Sequence, residues 1–174
     1  MRLCLFLLLA LLALALPARA QFEGSIGGDL PEAVVAWTAS VRPPATAGAD
    51  TGSFQRGDLA FVTFTAEVAP GWRLYSLDSP GGRPLQIALD GLPSGVRLEG
   101  QPSEDDPRDG FDETLRESYR YHAGRVRVWQ ALRIGPQTPR GTYDVSARLR
   151  YAACNDAVCL PPREAPLRAT LVVD

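Results

Sequence analysis

From Tyr143 to Tyr151 the chain alternates without interruption. Tyr143, Val145, Ala147, Leu149 and Tyr151 share one parity, and Asp144, Ser146, Arg148 and Arg150 share the other. A strict period of two with polar residues on one side is the pattern of a half-buried antiparallel strand, because successive side chains of an extended backbone point to opposite faces. Alternation recurs in Val35–Val41, in Val126–Ile134 and in Leu167–Val173, while Leu59–Val68 and Leu85–Leu89 are β-rich runs. Turn signals separate the runs at Pro43-Pro44, Pro70-Gly71, Pro80-Gly81-Gly82, Pro93-Ser94-Gly95, Gly135-Pro136 and Pro161-Pro162. Short strands broken at this frequency predict an all-β, antiparallel β-sandwich, in which two sheets each bury one face. Only Asp112–Tyr121 has the composition for a short helix, and it lacks an apolar stripe. Pro43–Gly52 and the acidic stretch Ser103–Glu117 read as loops.

The first twenty residues belong to a different category. Arg2 precedes an apolar run from Leu3 to Pro17, and Ala18-Arg19-Ala20 is a small-x-small cleavage site. The run is shorter than the roughly 20 apolar residues of a membrane span. Residues 1–20 are therefore expected to be a cleaved signal peptide, with 21–174 as a single exported domain and no membrane span in the mature chain. Cleavage removes Cys4, Arg2 and Arg19, which takes the 18 basic residues to 16 against 20 acidic ones. All of them are Arg, and they are interspersed with acid rather than gathered into a stripe. That pattern argues against nucleic acid and against anionic membrane surfaces.

Two cysteines remain, Cys154 and Cys159, in an exported and therefore oxidising setting that favours their pairing. They flank the turn-prone Asn155-Asp156. A hairpin there brings their Cα atoms within disulfide range. A loop of about six residues yields only about 2 kcal/mol of stabilisation in the chain-entropy model, so such a bond is a weak staple. It is easier to justify as a bond that opens and closes, although small structural disulfides are also common in secreted proteins. Extending the parity of Tyr143–Tyr151 places Cys154 on the outer face with Arg148 and Arg150. The nearest charge, Asp156, is acidic and does not favour a thiolate. A slow nucleophile of this kind depends on a docked partner to orient exchange through a mixed disulfide.

The string Tyr151-Ala-Ala-Cys154-Asn-Asp-Ala-Val-Cys159-Leu-Pro-Pro162 resembles the amino-terminal periplasmic domain of the DsbD family of thiol:disulfide interchange proteins. Pro70-Gly71-Trp72-Arg73-Leu74-Tyr75-Ser76-Leu77 followed by Pro80-Gly81-Gly82, and Phe111-Asp112-Glu113 followed by Tyr121–Gln130, match in the same order. The resemblance implies an immunoglobulin-like sandwich and periplasmic location. It implies a thiol:disulfide oxidoreductase module whose Cys154–Cys159 dithiol receives electrons from a membrane thiol transporter. The dithiol would pass them to periplasmic thioredoxin-like proteins, including those serving disulfide isomerisation and cytochrome c biogenesis. It also implies a cap over the disulfide, for which Asp109–Ser118 is the positional match, with Phe111 or Leu115 as the lid side chain. Family members often continue into a multi-span membrane domain and a thioredoxin-like domain. The sequence ends at Asp174, so separate partner proteins are expected, with the domain itself a monomer.

Other residues carry weaker signals. His122, the only histidine, could join the two cysteines as a metal ligand, but no fourth ligand is evident and no metal or cofactor is expected. Trp72 and Tyr75 read first as core aromatics with a polar edge, Tyr75 also as a candidate lining of a partner groove. Trp129 shares the outward parity of Arg127 and Arg133. Asp112 and Glu113 read as a solvated pair. The competing functions are a non-catalytic binding module whose disulfide pins a hairpin, and a metal chaperone using Cys154, Cys159 and His122.

Overall fold

The structure is a computed structural model that describes residues 33–44, 52–113 and 116–174. The proposed signal peptide, most of the Pro43–Gly52 loop and Leu115 lie outside the described residues. In chain order the strands are β1 (Val35–Arg42), β2 (Leu59–Val68), β3 (Arg73–Tyr75), β4 (Gln86–Asp90), β5 (Val96–Glu104), β6 (Arg108–Asp112), β7 (Glu117–His122), β8 (Arg125–Ile134), β9 (Gly141–Tyr151), β10 (Ala153–Cys154) and β11 (Arg163–Val173). The described residues contain no helix, and so none long and apolar enough to cross a membrane.

Alternation dictates the layers. In β2 the residues Ala60, Val62, Phe64, Ala66 and Val68 are buried, and in β8 Val126, Val128, Leu132 and Ile134 are buried with them. Both strands lie in an antiparallel sheet of order β1-β2-β8-β5. Across the core, β9 turns in Val145, Ala147, Leu149 and Tyr151, and β11 turns in Ala169, Leu171 and Val173. They form a second sheet of order β11-β9-β4. The inner faces of the two sheets join in one apolar cluster, which makes the all-β antiparallel sandwich. Burial of these faces supplies the main stabilisation, since each large aliphatic side chain contributes about 1.5–3 kcal/mol on leaving water.

Two polar features fit the same logic. Gln130 occupies a core-facing position of β8, and its amide donates to the carbonyls of Glu99, Gly100 and Ala131. The β5 register shifts between Glu99 and Ser103, and that irregularity frees carbonyls for the buried amide. Pro166 lies inside β11, which is an edge strand, where a missing N–H breaks no ladder.

A third, smaller sheet of order β10-β3-β7-β6 stands beside the sandwich. It corrects two sequence expectations. The segment with a helix-like composition, Asp112–Tyr121, instead runs from the end of β6 into β7 as a hairpin, with Gly110 opposite Tyr119 and Phe111 opposite Ser118. Its tyrosines at alternate positions suit a strand better than an unstriped helix. The acidic stretch Ser103–Glu117 is likewise not one loop, since it holds the end of β5 and all of β6. Leu74 of β3 is fully buried and pairs with both His122 and Ala153, which ties the small sheet to the core. His122 is buried too. Its Nε2 lies 2.9 Å from Glu104 Oε2, and the same oxygen accepts from the Leu77 N–H at 2.9 Å.

Leu74→Ala should lower unfolding stability by about 2–5 kcal/mol, as removal of a buried leucine does elsewhere. Leu98→Ala, at a site 51% exposed, should stay within about 0.5 kcal/mol of the parent. Urea titration of both variants checks this, and equal effects would show that Leu74 does not anchor the small sheet.

Candidate functional site

The cysteines sit where one strand changes sheets. β9 ends at Tyr151, paired with Arg163 of β11. Ala152 belongs to no strand, and Ala153–Cys154 resumes as β10, paired with Leu74 and Arg73 of β3. The segment Ala152–Pro162 is thus an excursion from the β9–β11 ladder into the small sheet. Within it Cys154 and Cys159 face each other as an antiparallel bridge. Asn155 N–H donates to the Val158 carbonyl and Leu160 N–H donates to the Ala153 carbonyl, both at 2.9 Å. These bonds flank the cysteines, which therefore form a non-hydrogen-bonded pair, the narrow kind in which side chains approach most closely. Their Cα atoms are 4.0 Å apart and their sulfurs are bonded at 2.09 Å.

Asn155 shapes the turn. Its Oδ1 accepts from the N–H groups of Ala157 and Val158 at 2.9 and 2.8 Å. An Asn side chain that satisfies backbone donors ahead of it is the usual means of closing a short turn.

The two sulfurs differ in access. Cys154 is buried, with 8% of its surface exposed, whereas Cys159 is exposed. This corrects the outward parity expected for Cys154. The break at Ala152 resets the alternation, and Tyr151, Ala152, Ala153 and Cys154 are buried in succession. Only Cys159 presents itself to an approaching thiol.

One face of the small sheet surrounds Cys154. Its hydrogen-bonded register brings Arg73 opposite Cys154, Tyr75 opposite Tyr121, and Tyr119 opposite Gly110. The Tyr75 hydroxyl lies 3.4 Å from Cys154 Sγ. With the sulfur in a disulfide, the hydroxyl is the donor. Burial, together with the nearby Tyr119, Asp112 and Glu117, raises the Tyr75 hydroxyl above the ordinary phenol range and keeps it a neutral donor. The rings of Tyr75 and Tyr119 meet edge to face at 5.8 Å, and those of Tyr119 and Tyr121 lie tilted at 5.6 Å. Arg73 lies 5.5 Å from the centre of the Tyr121 ring. It also donates to Asp156 Oδ1 at 2.6 Å, a bond that raises its own affinity for the proton. The acidic charge that the sequence places beside the cysteines is thus already matched by a guanidinium.

The sequence-derived residues separate accordingly. Cys154, Cys159 and Tyr75 come together. Trp72 is a core residue, and His122 is occupied with Glu104. Phe111 is 52% exposed on β6 and alternates with the Gly110–Tyr119 row that shares the face of Cys154. Arg73, Tyr119 and Tyr121 were not singled out by their residue types. Arg73 and Tyr121 fall within segments that carry the resemblance, and the Arg73-x-Tyr75 and Tyr119-x-Tyr121 spacings put like-facing residues two apart.

Gly82 completes the enclosure. Its φ is +76°, and a Cβ there would overlap the Tyr75 ring. Gly57 has a similarly positive φ of +96° but nothing within 4 Å. Ala at either position suffers the left-handed backbone penalty of about 1–2 kcal/mol. Gly82→Ala should lose roughly a further 1–3 kcal/mol from overpacking. A urea comparison of the two variants isolates the tyrosine contact, and equal losses would mean that Tyr75 moves aside freely.

No family model matches the chain, and no curated protein matches it. Among solved structures it is similar to the DsbD amino-terminal domain of Neisseria meningitidis in the reduced form, at 21% identity and a TM-score of 0.42, over 62% of this chain and 74% of that one. It is also similar to the amino-terminal periplasmic domain of ScsB from Proteus mirabilis, at 16% identity and a TM-score of 0.44, over 77% of this chain. The chain spans 44% of that protein's length. A structure of the complex between the DsbD and PilB amino-terminal domains of Neisseria meningitidis aligns at 14% identity and a TM-score of 0.46, over 76% of this chain and 81% of that one.

Proposed function

We propose that this chain is a periplasmic thiol:disulfide exchange module in which Cys154 and Cys159 alternate between disulfide and dithiol. In this reading residues 1–20 are removed on export and 21–174 act as one domain. The observation that carries the proposal is the asymmetry of the pair: a buried Cys154 bonded to an exposed Cys159 on a hairpin with its own hydrogen bonds.

The exchange follows from that asymmetry. In the dithiol form the Cys159 thiolate attacks one sulfur of a partner disulfide, and the partner's other sulfur leaves as a thiolate. The Cys154 thiolate then attacks Cys159 Sγ within the mixed disulfide. The Cys154–Cys159 bond forms, and the second partner sulfur leaves as a thiolate. Two electrons pass to the partner, and its two thiolates take up the two protons lost by the cysteines. The dithiol is regenerated by the same steps in reverse, starting with a donor thiolate attacking Cys159. The proposed electron donor is a membrane thiol transporter, and the proposed acceptors are periplasmic thioredoxin-like proteins, among them those of cytochrome c biogenesis. Val158, 42% exposed in the hairpin beside Cys159, offers such a protein an apolar contact. Tyr75 remains behind the disulfide as a neutral donor to Cys154.

Equilibration of the mature domain in thiol/disulfide buffers, with alkylation and mass spectrometry, should give a midpoint above about −300 mV. Circular dichroism should show the same β fold at both ends of the titration. A bond that resists reduction until the domain unfolds would instead make the pair a staple and the protein a non-catalytic binding module. Cys154→Ser should accumulate a mixed disulfide through Cys159 with an oxidised thioredoxin-like protein. Cys159→Ser should accumulate far less, and the reverse order would overturn the assignment of Cys159 as the entry point.

A further inference from the structure

Arg73 connects the cysteine turn to the sheet behind it. It belongs to β3 and stands directly opposite Cys154 in the ladder. Its guanidinium reaches past Cys154 to Asp156, which lies between the two cysteines, and bonds its carboxylate at 2.6 Å. The same guanidinium rests over the Tyr121 ring. One side chain therefore ties the tip of the hairpin to two strands of the small sheet. The remaining bonds of the turn, from the Ala157 and Val158 N–H groups to Asn155 Oδ1 and from the Asn155 N–H to the Val158 carbonyl, are local to the turn itself.

While the disulfide is closed, the sulfurs are held by a covalent bond. Once it opens, Cys159 stays near Cys154 only as far as the hairpin keeps its shape. The ladder bond from Leu160 to Ala153 holds the base, and the Arg73–Asp156 pair holds the tip. We propose that Arg73 is a positioning residue for thiol:disulfide exchange: by holding Asp156 it keeps Cys159 apposed to Cys154 in the dithiol and sets how readily the bond re-forms. This rests on the exchange reading above.

The magnitude is bounded. The side chains of Arg73 and Asp156 are 32% and 86% exposed, and exposed ion pairs are worth little because water screens them and long side chains must be ordered. Arg73 escapes part of the ordering term because Tyr121 already restrains it. The thiol effective concentration should therefore change by about two- to five-fold, the range set by a pair of this exposure. For a two-electron couple this corresponds to about 9–21 mV, at about 30 mV per tenfold.

The test uses the mature domain and glutathione redox buffers, comparing the parent with Arg73→Gln, Asp156→Asn and the double variant. Each single substitution should shift the equilibrium about two- to five-fold toward the dithiol, giving a more positive potential. The double variant should shift no further than either single one, because the two residues act as a unit. Arg73→Lys, which keeps the charge without the planar fork, should recover part of the parent value. High salt should erase the difference between parent and variants. The melting temperature of the oxidised forms serves as the control for general destabilisation. Unchanged equilibria in the single variants, or additive shifts in the double variant, overturn the role of Arg73 while leaving a reversibly reducible parent intact. A parent that cannot be reduced without unfolding overturns both this role and the exchange function.

Discussion

A strand that leaves its sheet must find new partners for its backbone, and that requirement organises this molecule. Beyond Tyr151 the chain no longer pairs with β11 until Arg163. The N–H and C=O groups in between would be orphaned if buried without partners, at a cost comparable to a lost hydrogen bond each. β3 meets the need. It pairs with Ala153 and Cys154, and the N–H of Tyr75 bonds the Ala152 carbonyl. β3 can do so because Leu74 is sunk in the core and because β7 supports its other edge. β7 is held in turn where buried His122 meets Glu104 at the end of β5. Removing either partner would strand a buried polar group, the costly way to break such a contact. Cysteine exposure, tyrosine placement and the Arg73–Asp156 contact all follow from where β3 lies.

The sandwich was legible because its strands are β-rich and several of them alternate. β9 announces itself by a period-two pattern with one apolar face and its burial follows that pattern, while β2 reads only as a β-rich run whose alternate burial emerges in the structure. The small sheet was not legible. β3 is three residues long, β10 is two, and β6 is five residues with Phe111 as its one apolar side chain, so none offers a window in which periodicity can be measured. β5 was obscured for another reason: its register shift breaks the alternation around Gly100.

The site divides along the same line. The turn between the cysteines could be read from Asn155-Asp156, since Asn closes turns through its own side chain. The inward placement of Cys154 could not. Parity carries along a strand only while the strand continues, and Ala152 interrupts it without the Gly or Pro that usually marks such a break. The uninterrupted small apolar run Tyr151-Ala152-Ala153 was the one local hint that alternation had stopped. The Arg73–Asp156 contact joins residues 83 positions apart. No reading of the local sequence reaches that far, and the contact exists only once β3 and β10 have paired.

The balance between staple and switch can now be weighed on the hairpin itself. The covalent bond closes a loop of about six residues and so contributes only about 2 kcal/mol through chain entropy. The same segment is held by two flanking backbone bonds, two bonds to the Asn155 side chain and the reach of Arg73. At about 1 kcal/mol net for each hydrogen bond, these non-covalent contacts together match or exceed what the disulfide adds. They depend on backbone and polar groups that reduction does not touch. Leu160, buried just after Cys159, fixes the returning strand to the core independently of the sulfur chemistry. The form of the hairpin therefore does not rest on the disulfide alone. The disulfide is thus one of several contacts of comparable size in the hairpin, an arrangement that suits the proposed exchange, which needs a bond that can open without unfolding what surrounds it.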